Sequence, residues 1–381
     1  MLSIFILQCS EAIGNPAHDT VLTMNIPIKK VPINTENIKK QAQSGFKRDI
    51  FTYPFLGKNM RLLPRILAIG LFSLVSTSVS VWAADYPTRA IKWIVPYPPA
   101  GTTDVLARIM AQRLSETIGQ QVIVENKPGA GNNIGTEQVI NAAPDGYTML
   151  LVNPANGINA SLYKNLSFNF IRDIAPVAGL VRTPNVMVVT NSLPVKNVAE
   201  FIEYCKANPG KVNMASSGNG TSTHLSGELF KAMTGCNMLH VPYKGAGPAL
   251  IDLTAGQVQV FFDNLPSSVV HIKGGRIRAL GVTSEGVEPS APELPTVGAT
   301  VKGYEATAWF GIGMPKNTPA DVIAKMNAEV NKALADPVMQ KRLAELGGVP
   351  IAGTPADFGK VIAGETEKWA KVVQISGAKV E

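Results

Sequence analysis

Ile91-Lys92-Trp93-Ile94-Val95-Pro96-Tyr97-Pro98-Pro99-Ala100-Gly101-Thr102-Thr103-Asp104 holds the first clear sign of the fold. Ile91 to Pro96 reads as a short apolar strand closed by proline. Pro98 and Pro99 lack the backbone donor and fix φ, so Tyr97 to Thr103 continues neither strand nor α-helix. From Asp104 to Ile118 the spacing turns helical, with Val105 and Ile109 on an apolar side. Working outward, Val122 to Glu125 is a second strand. Asn126 to Asn133 is a Gly-rich loop, Ile134 to Ala142 a short helix, and Tyr147 to Val152 a strand after the Pro144-Asp145-Gly146 turn. Strand and helix alternate at βαβ spacing, which predicts a mainly parallel sheet.

A second block repeats the rhythm. Val186 to Thr190, Val212 to Ala215, Leu239 to Val241, Val258 to Phe262 and Ile277 to Thr283 read as strands. Val198 to Ala207, Thr223 to Thr234 and Ala249 to Ala255 read as the helices among them. Strands this short and apolar fit a sheet covered on both faces. After a strand at Trp309 to Met314, helical spacing runs over Ala320 to Ala335, Pro337 to Leu346 and Ala356 to Ile375. Pro319 and Pro355 stand where helices begin, a position that tolerates the missing N–H.

The chain has 381 residues, 45% of them apolar, enough for two α/β lobes. With only 17% charged residues, 34 Gly and 27 Pro, it is a folded protein with many tight turns. The formal charge of +7 is unevenly spread: residues up to Ala83 hold nine Lys/Arg against four Asp/Glu. No later stretch forms a basic patch, so a nucleic-acid partner is not expected.

Those first residues set the compartment. Met60 to Arg65 is short and basic, Ile66 to Val81 is apolar and uncharged, and Val81-Trp82-Ala83 offers small residues at a cleavage position. Residues 60–83 therefore read as a signal peptide cleaved after about Ala83, which sends the remainder to the periplasm. The alternative is a retained anchor, for which the run is marginal in length. Residues 1–59, upstream of a complete signal peptide, read as a non-native or disordered extension, with translation starting at Met60.

Two loops share one form: each follows a strand, is rich in Gly, Ser or Thr, and leads into a helix. They are Pro98 to Asp104 and Ser216 to Ser222. A helix N-terminus offers free N–H groups and partial positive charge, and holds an anion without an Arg. The hydroxyls of Thr102, Ser217 and Thr221 are read as further donors. The plainer reading is that Asp104, Ser222 and Thr223 cap their helices. Asn126 to Gly131 is Gly-rich but fits no phosphate-binding pattern.

The histidines His224, His240 and His271 show no metal-ligand spacing, and neither metal nor cofactor is expected. No G-x-S-x-G elbow marks a nucleophile, so an enzyme is the weaker reading, although triads assemble in space. Cys205 and Cys236 are compatible with one disulfide in an exported protein, or with two buried thiols.

Several segments, in this order, resemble the tripartite tricarboxylate transporter substrate-binding family, the Bug-like extracytoplasmic receptors. They include Tyr97 to Asp104, Glu125 to Gly131, Pro144 to Thr148, Ser216 to Leu225, His240 to Gly245, Phe262 to Pro266, Leu294 to Val297, Trp309 to Gly311 and Glu365 to Trp369. The resemblance implies an α/β, two-domain type II periplasmic-binding-protein fold with the ligand cleft between the lobes. It places one lobe at 84–187 and 305–381 and the other at 188–304. It implies a receptor without catalytic activity that captures a small organic acid for a two-component membrane permease. A sensor that feeds a signalling partner shares the same fold. A monomer is expected. Carried over, the first grip is Tyr97, Ala100, Gly101, Thr102, Thr103 and Asp104. The opposite wall is Ser217, Gly218, Thr221 and His224, and Asp263 and Asn264 approach from a third side. The family usually has Phe where Tyr97 stands and Gly where Ala100 stands.

Overall fold

A computed structural model describes residues 86–380; the expected extension, signal peptide and cleavage position lie outside them. Strand β1 (Ile91–Val95) pairs in parallel with β2 (Val122–Asn126) and β3 (Thr148–Val152). Helix α1 (Thr102–Ile118) links β1 to β2, and α2 (Asn133–Ile140) links β2 to β3. The sheet side of α1 is Leu106, Met110 and Leu114, buried at helical spacing. Two further helices follow, α3 (Pro154–Leu162) and the short α4 (Phe170–Asp173).

Strand β4 (Ile174–Thr190) is the backbone of the molecule. Residues Ile174 to Pro184 pair with the returning strand, and Asn185 to Thr190 pair with strands of a second lobe. That second lobe runs through α5 (Val198–Ala207), β5 (Val212–Ser216), α6 (Ser222–Thr234), β6 (Met238–Pro242) and α7 (Ala246–Thr254). It continues with β7 (Val260–Asn264), α8 (Leu265–Lys273), β8 (Ile277–Val282) and α9 (Val297–Thr300). The chain returns through β9 (Thr307–Pro315), then α10 (Ala320–Ala335), α11 (Pro337–Glu345), β10 (Val349–Pro350) and α12 (Pro355–Ser376).

The first sheet is ordered β2-β1-β3-β9-β4 and the second β4-β7-β5-β6, with β10 and β8 also on β4. Two strands, β4 and β9, thus run antiparallel to each other where the lobes join. Alternate residues feed opposite faces. Trp93 and Val95 pack with Leu106, Met110 and Phe310, while Ile94 packs with Leu150, Trp309 and Phe358. In the second lobe Met187 and Phe262 join Phe201 and Phe230, and Val188 and Phe261 join Ala249 and Leu250.

Helix α12 does not keep to one lobe. Phe358 and Ile362 pack in the first, whereas Trp369 and Val372 join the core of the second. Of the two readings open for Cys205 and Cys236, the structure has the thiols. Both are buried and unbonded in this structure. Each is packed as a small apolar side chain in the second lobe's core.

Candidate functional site

In open α/β sheets the crevice lies beyond the carboxyl ends of the strands. Here β1, β3, β5 and β7 end at one cleft between the lobes, and each is followed by a helix that starts there. The cleft is lined by Tyr97, Pro98, Gly101, Thr102, Thr103, Asn153, Pro154, Ser217, Thr221, Ser222, Thr223, Ala246, Asn264 and Phe310. Thr102 opens α1, Pro154 α3, Ser222 α6 and Ala246 α7, and Asn264 precedes α8. Five helices therefore turn their positive ends to one space, and among the described residues neither Lys nor Arg lines it.

The helices differ in what satisfies their first N–H groups. Asn153 caps α3 by accepting from Ala155, and Thr221 caps α6 by accepting from His224. Helices α1, α7 and α8 have no side-chain cap. Asn264 is a good capping residue by type, yet its amide nitrogen is committed to Asn185 Oδ1 at 2.6 Å and Ser222 Oγ at 3.4 Å. The free N–H groups of three helix starts, together with the hydroxyls of Thr103, Ser217 and Ser222, are donors that face the cleft.

Asp104 has a different task from the cap or ligand contact expected of it. Its carboxylate accepts from Ala100 N–H at 3.1 Å, from Arg108 at 2.9 Å and from Asn126 at 3.0 Å. Burial works to raise its pKa, but these hydrogen bonds outweigh that and hold the carboxyl below its ordinary value. It clamps the first loop from behind. Ala100 is exposed, sits at φ 71° and contributes its N–H to that clamp; its side chain is not among the cleft residues.

Tyr97 is buried on the cleft wall, and its hydroxyl donates to Asn153 Oδ1 at 3.4 Å. Burial pushes the phenol upward, so it stays neutral. Gly218, at φ 121°, turns the second loop without lining the cleft. The Thr221 hydroxyl is spent on the Gly218 carbonyl at 2.7 Å, so it is no donor to a ligand. Asp263 has no exposed surface and lies behind Ser267 and Ser268, whose hydroxyls it accepts at 2.6 and 2.8 Å. Burial pushes its pKa up to about 6 against those two bonds. The structure thus puts Tyr97, Gly101, Thr102, Thr103, Ser217, Thr221 and Asn264 on the cleft surface. Ala100, Asp104, Gly218, His224 and Asp263 stand behind it.

His224 supports the second loop. Gly220 N–H donates to its Nδ1 at 3.3 Å, and its ring stacks on His240 at 4.0 Å. His240 Nε2 lies 2.6 Å from Ser216 Oγ, which also accepts from Gly218 N–H. Glu228 stands beside His224, so the three could suggest a metal set. Two observations speak against that. Nδ1 of His224 accepts a hydrogen bond where a metal-binding imidazole would need to donate one, and Lys231 already pairs with Glu228 at 2.9 Å. The Ser–His contact is likewise turned to the loop: Ser216 is fully buried, and neither residue is among the cleft residues.

The lobes touch across the cleft. Thr102 of α1 donates to Ser267 of α8 at 3.1 Å, and the cleft has a cavity volume of about 30 Å³. Sequence reading did not name Pro98, Asn153, Pro154, Ser222, Thr223, Ala246 and Phe310 as wall residues. For Asn153-Pro154 the signal was present: an N-cap residue and a first-turn proline directly after a strand.

The fold and cleft define a two-lobed solute-binding receptor. The family profile described as tripartite tricarboxylate transporter family receptor matches residues 106–378, and the chain belongs to that family. It is 38% identical over 312 residues to the protein of the tcbD-tcbE intergenic region of Pseudomonas sp. strain P51, covering 81% of this chain and 93% of that one. The structure of Rpa4515 from R. palustris with adipate superposes with TM-score 0.76 at 38% identity, over 77% of this chain and all of that one. MatC from Rhodopseudomonas palustris with bound malate gives 0.72 at 29%, over 76% of this chain and all of that one. The protein is an extracytoplasmic solute-binding receptor of the periplasm.

Proposed function

We propose that this receptor, as a monomer, closes on a small carboxylic acid and releases it unchanged to a two-component membrane permease. Export by the 60–83 segment, with cleavage after about Ala83, belongs to the same proposal. The carrying observation is that α1, α7 and α8 turn uncapped N-termini to a cleft that, among the described residues, no Lys or Arg lines. A carboxylate satisfies such N–H groups and the partial positive charge behind them. Adipate and malate in two relatives are acids of this kind. The narrow cleft requires the lobes to part before a ligand enters, which the strand pair β4 and β9 permits by bending.

A thermal-shift screen of small acids against their amides tests this. A ligand that binds only the folded state raises the melting temperature. An acid that raises it, paired with an amide that does not, is the expected result. Equal shifts with acid and amide, or shifts with uncharged solutes alone, would overturn the carboxylate reading.

A further inference from the structure

The polarity of the Thr102 hydroxyl is fixed by what lies behind it. Ser267 Oγ has three neighbours: Thr102 Oγ1 at 3.1 Å, Asp263 Oδ2 at 2.6 Å and the Asn264 carbonyl at 2.9 Å. A hydroxyl carries one hydrogen. An ionised carboxylate and a carbonyl only accept, so the Ser267 hydrogen goes to Asp263 or Asn264. The hydrogen between Thr102 and Ser267 must then be the one on Thr102. A proton on Asp263 Oδ2 would not change this, since Ser267 would receive it and pass its own to Asn264. Ser268 also donates to Oδ2 at 2.8 Å, and Oδ1 is buried with no partner among the described residues. The chain Thr102 to Ser267 to Asp263 therefore runs in one direction, from the cleft inward.

What Thr102 has left for the cleft is lone pairs. Asn264 agrees with it. Its amide nitrogen is spent on Asn185 and Ser222, so the group its side chain has left is the acceptor Oδ1. Thr102 and Asn264 line the same cleft as the uncapped helix starts. The wall thus offers acceptors beside its backbone donors. A plain carboxylate oxygen against those acceptors would leave lone pair facing lone pair, whereas a hydroxyl or ammonium would be satisfied.

We propose that Asp263, acting through Ser267, holds Thr102 as a hydrogen-bond acceptor, so that the cleft selects acids bearing a hydroxyl or ammonium donor over plain acids. This rests on the carboxylate reading above. Asp263 and Ser267 are positioning residues, and Thr102 is the specificity residue.

Calorimetric titration of the purified receptor tests it, with C4 to C6 dicarboxylates and their 2-hydroxy and 2-amino derivatives. The wild type is expected to bind the best substituted acid roughly tenfold or more tighter than its unsubstituted parent, the effect of one well-placed hydrogen bond. Ser267→Ala frees the Thr102 hydrogen and is expected to bring that ratio near one, with the plain acid bound no more weakly than before. Thr102→Val is expected to lose the preference and Thr102→Ser to keep it, which a merely structural role would not produce. Equal binding of plain and substituted acids by the wild type overturns the proposal and leaves the acid receptor standing. An unchanged ratio in a folded Ser267→Ala protein overturns it as well. Failure of every acid to bind removes the carboxylate reading and this proposal with it.

Discussion

Ala100 shows how one side chain can be held against its own preference. Its φ of 71° lies in the left-handed region, where an L-residue costs roughly 1–2 kcal/mol and glycine little. The Asp104 carboxylate, accepting from Ala100 N–H, holds it there. Glycine, which the resemblance leads one to expect at this place, would adopt this φ without strain. Ala100→Gly is expected to raise stability by about 0.5–1 kcal/mol, the relieved strain less the added freedom of the unfolded chain. Urea unfolding would show it, and an unchanged or lower midpoint would contradict it. The stacked histidines give a second expectation. Burial, then His240 and Lys231, bring His224 down to about 3; burial, then Lys231, bring His240 down to about 4. An unfolded histidine takes up its proton near pH 6.5. Between about pH 6.5 and 4 the unfolded chain therefore binds more protons, and stability falls as pH falls. His240→Gln should flatten that dependence in melting curves taken across this range. Glu228, beside His224, and Lys231 face the same pair, so a Glu228→Gln control separates their part.

Elements were legible in unequal measure. The strands Ile91–Val95, Val122–Asn126 and Val212–Ser216 stand within a residue of their sequence reading, because each is a bounded apolar run. The first half of β4 was not read. Pro176, Gly179 and Pro184 break its pattern, and the strand accommodates irregularity through register shifts between Pro176 and Ala178 and between Gly179 and Val181. Helices α3 and α8 were not read either. Both are nine residues long, and Asn153-Pro154 and Asn264-Leu265-Pro266 look like turns in sequence while serving as helix starts in space. The wall residues lost to sequence reading include those α3 supplies. The placing of Asp104, His224 and Asp263 behind the cleft was also out of reach, since it depends on partners such as Asn126, Gly220 and Ser268. Helix α12 carries an expectation of its own. Trp369, buried in the second lobe's core with Nε1 donating to Glu365 at 3.2 Å, joins a helix rooted in the first lobe to the second. Trp369→Ala should cost about 3–5 kcal/mol in urea unfolding, and a loss below 1 kcal/mol would contradict that bridging role.

At the scale of the whole molecule, two lobes share β4 and β9, and helix starts from both lobes converge on one cleft. On the proposed function, lobe closure and ligand capture are one event, because α1 belongs to the first lobe and α7 and α8 to the second. An acid that joins those ends favours the closed form by its contacts with both. The most direct measurement is a crystal structure of the receptor with an acid found by the thermal-shift screen. The expected result places a carboxylate within hydrogen-bond distance of backbone N–H groups at Thr102 or Thr103 and at Ala246 or Gly247. A carboxylate held by lysine or arginine side chains, or bound outside the cleft, would contradict it.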